Sequence, residues 1–165
     1  MLSAEVRKDI EQSVLCWLAT LDAEGWPIVS PKEVFAAYDD QYIVIADIAS
    51  PGSVANIRRH PQVSVSFIDI FTQRGYKVRA TGRIVAPHEA EFAAMTAPLA
   101  RQTDGAFAIN HVICLVPKQV ESLEAPSYQL FPETTEEAQR QTAMAAYGVQ
   151  PQTASVSGSS SEGRG

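Results

Sequence analysis

From Tyr76 to Val85 apolar and polar side chains alternate: Tyr76, Val78, Ala80 and Ile84 share one face, and Lys77, Arg79, Thr81 and Arg83 share the other. A period of two is the pattern of a strand buried on one side only. Five further runs, at residues 15–21, 26–38, 42–48, 63–71 and 107–116, are rich in Val, Ile, Leu or aromatic residues and are bounded by Gly, Pro, Asp or Ser. The link at Asp22-Ala23-Glu24-Gly25 is short enough for a hairpin, with Gly25 free to take the unusual backbone angle. Pro27 and Pro31 remove ladder donors, so the second run belongs at an edge or is locally irregular. Helices are expected at residues 3–13, 53–59 and 88–102, and from the capping pattern Thr134-Thr135-Glu136-Glu137 to about Tyr147. Strands that do not alternate regularly with helices disfavour a doubly wound sheet. The expectation is a mainly β chain with peripheral helices, an α+β fold built on a six-stranded antiparallel barrel.

A chain of 165 residues makes one domain, expected over residues 1–150, with a Ser/Gly-rich remainder at 151–165. Thr153 to Gly165 has almost no bulky apolar group to offset its chain entropy, so a flexible tail is expected there. A net charge of −6 argues against a general binder of nucleic acid or of anionic membrane. Apolar runs fall well short of the ~18 residues a membrane span needs. Glu5, Arg7, Lys8, Asp9 and Glu11 crowd the start of the chain, which lacks a signal-like apolar core. Cys16 and Cys114 form no CxxC pair, and both lie in apolar runs where an inert thiol is expected. A cytoplasmic location follows as the expectation.

Most familiar catalytic patterns are missing. There is no GxGxxG, no GxxxxGK[ST] and no GxSxG. His60, His88 and His111 stand at no metal-ligand spacing, so no metal site is expected. What remains is a polar and basic set. Lys32, in Ser30-Pro31-Lys32, must reach solvent or meet an anion, because an unpaired buried ammonium is costly. Some twenty residues later Ser50-Pro51-Gly52-Ser53 opens a short helix, whose first N–H groups and positive dipole end form a natural phosphate seat. Ser53 and Asn56 add polar groups one turn apart. The plainer reading also stands: Lys32 snorkels, Ser53 caps, and Lys77 and Arg79 keep a sheet edge soluble.

These segments resemble the pyridoxamine 5′-phosphate oxidase-like flavoproteins. Residues 18–32, ending in Ser30-Pro31-Lys32, resemble that family's opening hairpin. Residues 43–67, with Ser53, Asn56-Ile57-Arg58-Arg59-His60-Pro61 and Val63-Ser64-Val65-Ser66-Phe67, resemble its next strand, helix and strand. Lys77-Val78-Arg79-Ala80-Thr81-Gly82 resembles the strand after that. The resemblance implies a split β-barrel that forms a homodimer, with FMN in two clefts at the dimer interface. It implies that Lys32 contacts the FMN phosphate and that Ser53 and Asn56 hold the phosphate or ribityl chain. Ser30, Pro31 and the backbone of Ala46, Asp47 and Ile48 would lie beside the flavin. Lys77 falls where oxidases of the family place a glutamine, and Lys77 or Arg79 could face the pyrimidine end.

The departures bear on activity. The oxidases' C-terminal Arg-x-His motif has no counterpart after Val116, and their central Tyr-and-Arg substrate motif has none in residues 88–102. Pyridoxamine phosphate oxidation is therefore not expected. The resemblance leaves an FMN-dependent oxidoreductase acting on a small molecule, with an electron donor such as NAD(P)H. The alternatives are a flavin binder without turnover, or a related barrel for haem or a deazaflavin. A haem would draw its axial ligand from His60, His88 or His111. Tyr128 is a candidate flavin neighbour or a buried interface tyrosine.

Overall fold

The computed structural model describes residues 1–152; the tail expected at 151–165 falls almost wholly outside them. Ser3 caps α1 (Ala4–Gln12), accepting a hydrogen bond from the Val6 N–H, and Val6 and Ile10 bury the helix's apolar face. A tight hairpin joins β1 (Cys16–Leu21) to β2 (Pro27–Lys32), and Gly25 takes φ 86° in the turn. Asp22 Oδ1 accepts from the N–H groups of Glu24 and Trp26 and holds that turn closed. β3 (Phe35–Tyr38) turns into β4 (Tyr42–Asp47), and α2 (Pro51–Arg59) leads to β5 (Gln62–Asp69) and β6 (Arg74–Val85). α3 (Phe92–Gln102), β7 (His111–Glu124), α4 (Pro126–Leu130) and α5 (Glu136–Tyr147) complete the chain.

Seven strands form one sheet in the order β2-β1-β5-β6-β7-β4-β3, and every pair is antiparallel. The expected single strand at 26–38 is two strands, which corrects the count from six to seven. Lys32 pairs with Cys16, the first residue of β1. Beyond it β2 has no partner left, so the chain breaks at Glu33 and Val34. β2 and β3 are the two edges of the sheet, yet only these two residues separate them. Two residues span little more than 10 Å, so the sheet must curl until its edges approach each other. The Ala46 N–H donates to the Val34 carbonyl, 3.0 Å, which carries the β3–β4 ladder one residue into that link. The result is a curled antiparallel half-barrel with helices around it.

The last strand also runs further than expected. Pro117 removes a ladder donor, and a strand ending at Val116 was the natural reading. The structure instead absorbs the proline at a bulge: Ala80 faces Pro117 and Arg79 faces Gln119, which leaves Lys118 as the extra residue. β7 then continues beside β6 as far as Glu124.

Two apolar clusters hold the sheet. Leu18, Ile43, Ile45, Val65, Phe67, Ile113 and Leu115 pack on one side, with Val6 and Ile10 of α1 across them. Val44, Val85, Met95, Leu99, Val112 and Cys114 pack on the other, beneath α3. β4 is thus covered on both faces, as its unbroken apolar run requires. Both cysteines are fully buried, and burial pushes the Cys16 thiol up to about 12. Among the described residues no helix is long and apolar enough to cross a membrane.

Candidate functional site

The seam between the edge strands carries the chain's most unusual polar group. Lys32 closes β2 on the same side of the strand as Ser30, and only 7% of it is exposed. Its ammonium donates to Ser50 Oγ at 2.5 Å. Burial pushes the Lys32 amine below its ordinary value, while the Asp47 carboxylate nearby opposes that shift. Asp47 ends β4 and is itself buried. Its Oδ1 accepts the Ser50 N–H at 3.0 Å, and its Oδ2 lies 2.9 Å from His111 Nδ1. Asp47 and His111 are direct cross-strand partners in the β4–β7 ladder. Arg58 Nη2 of α2 lies 3.4 Å from the far nitrogen of that ring, Nε2. A polar chain therefore runs Lys32–Ser50–Asp47–His111–Arg58, from the start of α2 to its last turn.

Ser50 is the N-cap residue of α2, but its side chain makes no capping bond. Its oxygen is turned to Lys32 instead, so the N–H groups of Gly52 and Ser53 lose the usual side-chain acceptor. A Cβ built on Gly52 would meet nothing within 4 Å, so open space adjoins the helix start. A buried cation, an uncapped helix N-terminus and room beside them are the elements that an anion seat requires.

Two clefts meet at Ser50. One, of about 300 Å³, is lined by Pro31, Lys32, Glu33, Ala46, Ile48 and Ser50, among others. The other, of about 590 Å³, has Asp47, Ser50, Arg58, Asn110 and His111 as its polar lining. The fold thus brings Lys32, Pro31, Ala46, Asp47 and Ile48 together. Ser53 and Asn56 sit on the buried side of α2, and Asn56 Nδ2 donates to Thr20 Oγ1 of β1 at 3.0 Å. Lys77 and Arg79 stand elsewhere. The β5–β6 and β1–β5 registers place them with Ser66, Ser64 and Trp17 on the other face of the sheet from Lys32. Lys77 pairs with Glu121 at 2.8 Å. Arg79 lines a groove with Lys118, the residue displaced by the bulge. Tyr128 also lies apart: its hydroxyl donates to the Thr72 carbonyl, and the Arg74 guanidinium stacks over its ring at 4.1 Å.

Ser50, Arg58 and His111 carry roles that sequence reasoning did not assign to them, His111 having stood only as one of three options for a haem ligand. Ser53 was read as the cap, whereas Ser50 holds the N-cap position, and nothing local revealed that its side chain would serve a lysine. Asp47 and His111 are 64 residues apart, and only the strand register unites them. Among the described residues no cluster of His, Cys, Asp and Glu is arranged to hold a metal.

A curled antiparallel half-barrel with a cationic seam at its edge strands defines the class to which this chain belongs. The family model described as Pyridoxamine 5′-phosphate oxidase matches residues 2–141, and the chain is a member of that family. Solved structures agree on the fold. HupZ of Group A Streptococcus superposes with a TM-score of 0.65 at 21% identity, over 76% of this chain and 96% of that one. An FMN-binding protein from Syntrophomonas wolfei gives 0.63 at 14%, over 73% and 84%. HutZ, the haem storage protein from Vibrio cholerae, gives 0.58 at 22%, over 74% and 94%. No curated protein matches the chain.

Proposed function

We propose that the chain binds FMN as a homodimer and serves as a flavin-dependent oxidoreductase on a small molecule. The observation that carries this reading is the Lys32 ammonium, buried on Ser50 beside an uncapped helix start. A phosphate monoester supplies the charge that such a lysine lacks, and the free N–H groups of Gly52 and Ser53 supply its remaining hydrogen bonds. Pro31, Ala46 and Ile48 offer apolar and backbone surface in the adjoining cleft. Asp47 offsets part of the Lys32 charge, but its oxygens are bonded to Ser50 N–H and His111 Nδ1 and it forms no ion pair with the ammonium among the described residues. Bound FMN would supply the electron-transfer chemistry, and the chain's own residues would bind it, orient it and limit access of water.

A second copy completes this reading. On the sheet face opposite Lys32, Trp17 is 46% exposed and Val29 56%, with Pro27 and Pro31 beside them. Contiguous exposed apolar surface of this kind marks an interaction face. Arg79 shares that face. Haem is the less suitable ligand: His111 Nε2 already faces a guanidinium, a cation where iron would have to sit. His88 is exposed on a loop, and His60 makes no side-chain hydrogen bond among the described residues.

The test begins with the spectrum of the purified protein after incubation with FMN. Flavin bands should co-elute at one per protomer, and they should be lost in Lys32→Glu. A Soret band after incubation with haem, with no flavin retained, would replace this reading. Steady-state NAD(P)H oxidation by the flavin-loaded protein then separates an enzyme from a binder without turnover.

A further inference from the structure

The second cleft has a chemistry of its own. Arginine has only donors, so the nitrogen facing Arg58, His111 Nε2, must present its lone pair. Nδ1 then carries the hydrogen and donates to Asp47 Oδ2. Asp47, 4% exposed behind the ring, fixes both the tautomer and the orientation of the imidazole. Arg58 is exposed and has no carboxylate partner among the described residues, whereas Arg74, Lys77, Arg83 and Arg140 are each paired with an acid. The mouth of the cleft therefore holds an unneutralised guanidinium 3.4 Å from an oriented hydrogen-bond acceptor. The opposite wall is apolar: Pro51, Val54 and Ala55 on one side of α2, with Pro87 beyond. A volume of about 590 Å³ lies within the range of small-molecule sites.

We propose that this cleft is a binding site for a small 2-hydroxy carboxylate with an apolar body. The carboxylate pairs with the Arg58 guanidinium and draws it off His111 Nε2, a contact of only 3.4 Å; the neighbouring hydroxyl donates to the lone pair this frees, and the apolar body lies on the Pro51–Val54–Ala55 wall. Asp47 is the positioning residue, because without it the ring is free to turn the other tautomer to the ligand. The site requires no cofactor, so it stands or falls separately from the flavin reading.

Mandelate has all three features, and phenylacetate lacks only the hydroxyl. Both are titrated into the flavin-free wild-type protein, with binding followed by calorimetry and by the ring resonances of isotopically labelled histidine. Mandelate should bind saturably and shift the His111 resonances, at least tenfold more tightly than phenylacetate. Arg58→Gln, at an exposed position, should weaken both ligands tenfold or more and leave the melting temperature unchanged. His111→Gln should remove the preference for mandelate. Should that variant fail to fold, the two-ligand comparison on the wild type still decides. Equal affinity for the two ligands, no saturable binding of either, or undiminished binding by Arg58→Gln would each overturn the proposal.

Discussion

Replacing Lys32 with methionine separates the needs of the site from the needs of the fold. Lys32 is 7% exposed and donates to one neutral oxygen, Ser50 Oγ at 2.5 Å. A charge-assisted bond of that kind is worth about 1.5–3 kcal/mol, whereas withdrawing an ammonium from water costs several kcal/mol even after relaxation. The Asp47 field offsets part of the difference, but both Asp47 oxygens already serve Ser50 and His111. Methionine fills nearly the same volume without a charge, and the half-exposed Ser50 hydroxyl can turn to water. Lys32→Met should therefore stabilise the cofactor-free protein by about 1–2 kcal/mol. For a chain of this size that corresponds to a rise of about 2–8 °C in Tm, measured by circular dichroism at pH 7 without FMN. The gain should depend on pH. Burial lowers the folded-state pKa of Lys32 below that of the unfolded chain, ~10.4. Between those two values the unfolded chain holds more protons, so wild-type stability rises with pH through that window. The methionine variant has no such gain, and its advantage should shrink as pH approaches ~10.4. A variant less stable than wild type by 1 kcal/mol or more, or an advantage independent of pH, would refute the argument that Lys32 is held at a cost.

Three further outcomes follow from the same structure. Thr20→Val and Asn56→Ala should each cost about 1–2 kcal/mol in urea unfolding, with a coupling of about 1 kcal/mol in the double mutant, because they share one buried hydrogen bond. Additive effects would show that Asn56 is not tied to β1. Gly75→Ala should destabilise by more than about 3 kcal/mol, since its Cβ would lie 2.1 Å from the Phe67 carbonyl oxygen; soluble protein with an unchanged Tm would contradict that approach. Trp17→Glu should convert a dimer to a monomer in light scattering, and a wild-type protein that is already monomeric would remove the dimer from the account.

The fold was legible where periodicity and turns agreed. The alternation through Tyr76–Ile84 and the Asp22–Gly25 hairpin located β6, β1 and the start of β2. The break after Lys32 was hidden because apolar residues continue through Val34 and Phe35; what ends β2 is the end of its partner at Cys16, a tertiary fact. The extension of β7 was hidden because a proline usually ends a strand, and only the bulge at Lys118 lets it pass. The site was legible in its charged half. Lys32 and the start of α2 stood out as a candidate anion seat from residue chemistry alone, whereas Ser53 and Asn56 face inward because the helix face they occupy packs on β1. The Asp47–His111–Arg58 arrangement depends on register and on the docking of α2, and neither is written in any local pattern.

The most direct measurement is a fluorescence titration of FMN against the flavin-free protein, in parallel with riboflavin and with the Lys32→Glu variant. The account predicts saturable quenching by FMN at one equivalent per protomer, affinity for riboflavin at least a hundredfold weaker, and no detectable FMN binding by the variant. FMN and riboflavin binding alike, or Lys32→Glu retaining wild-type affinity, would show that the buried ammonium is not a phosphate seat.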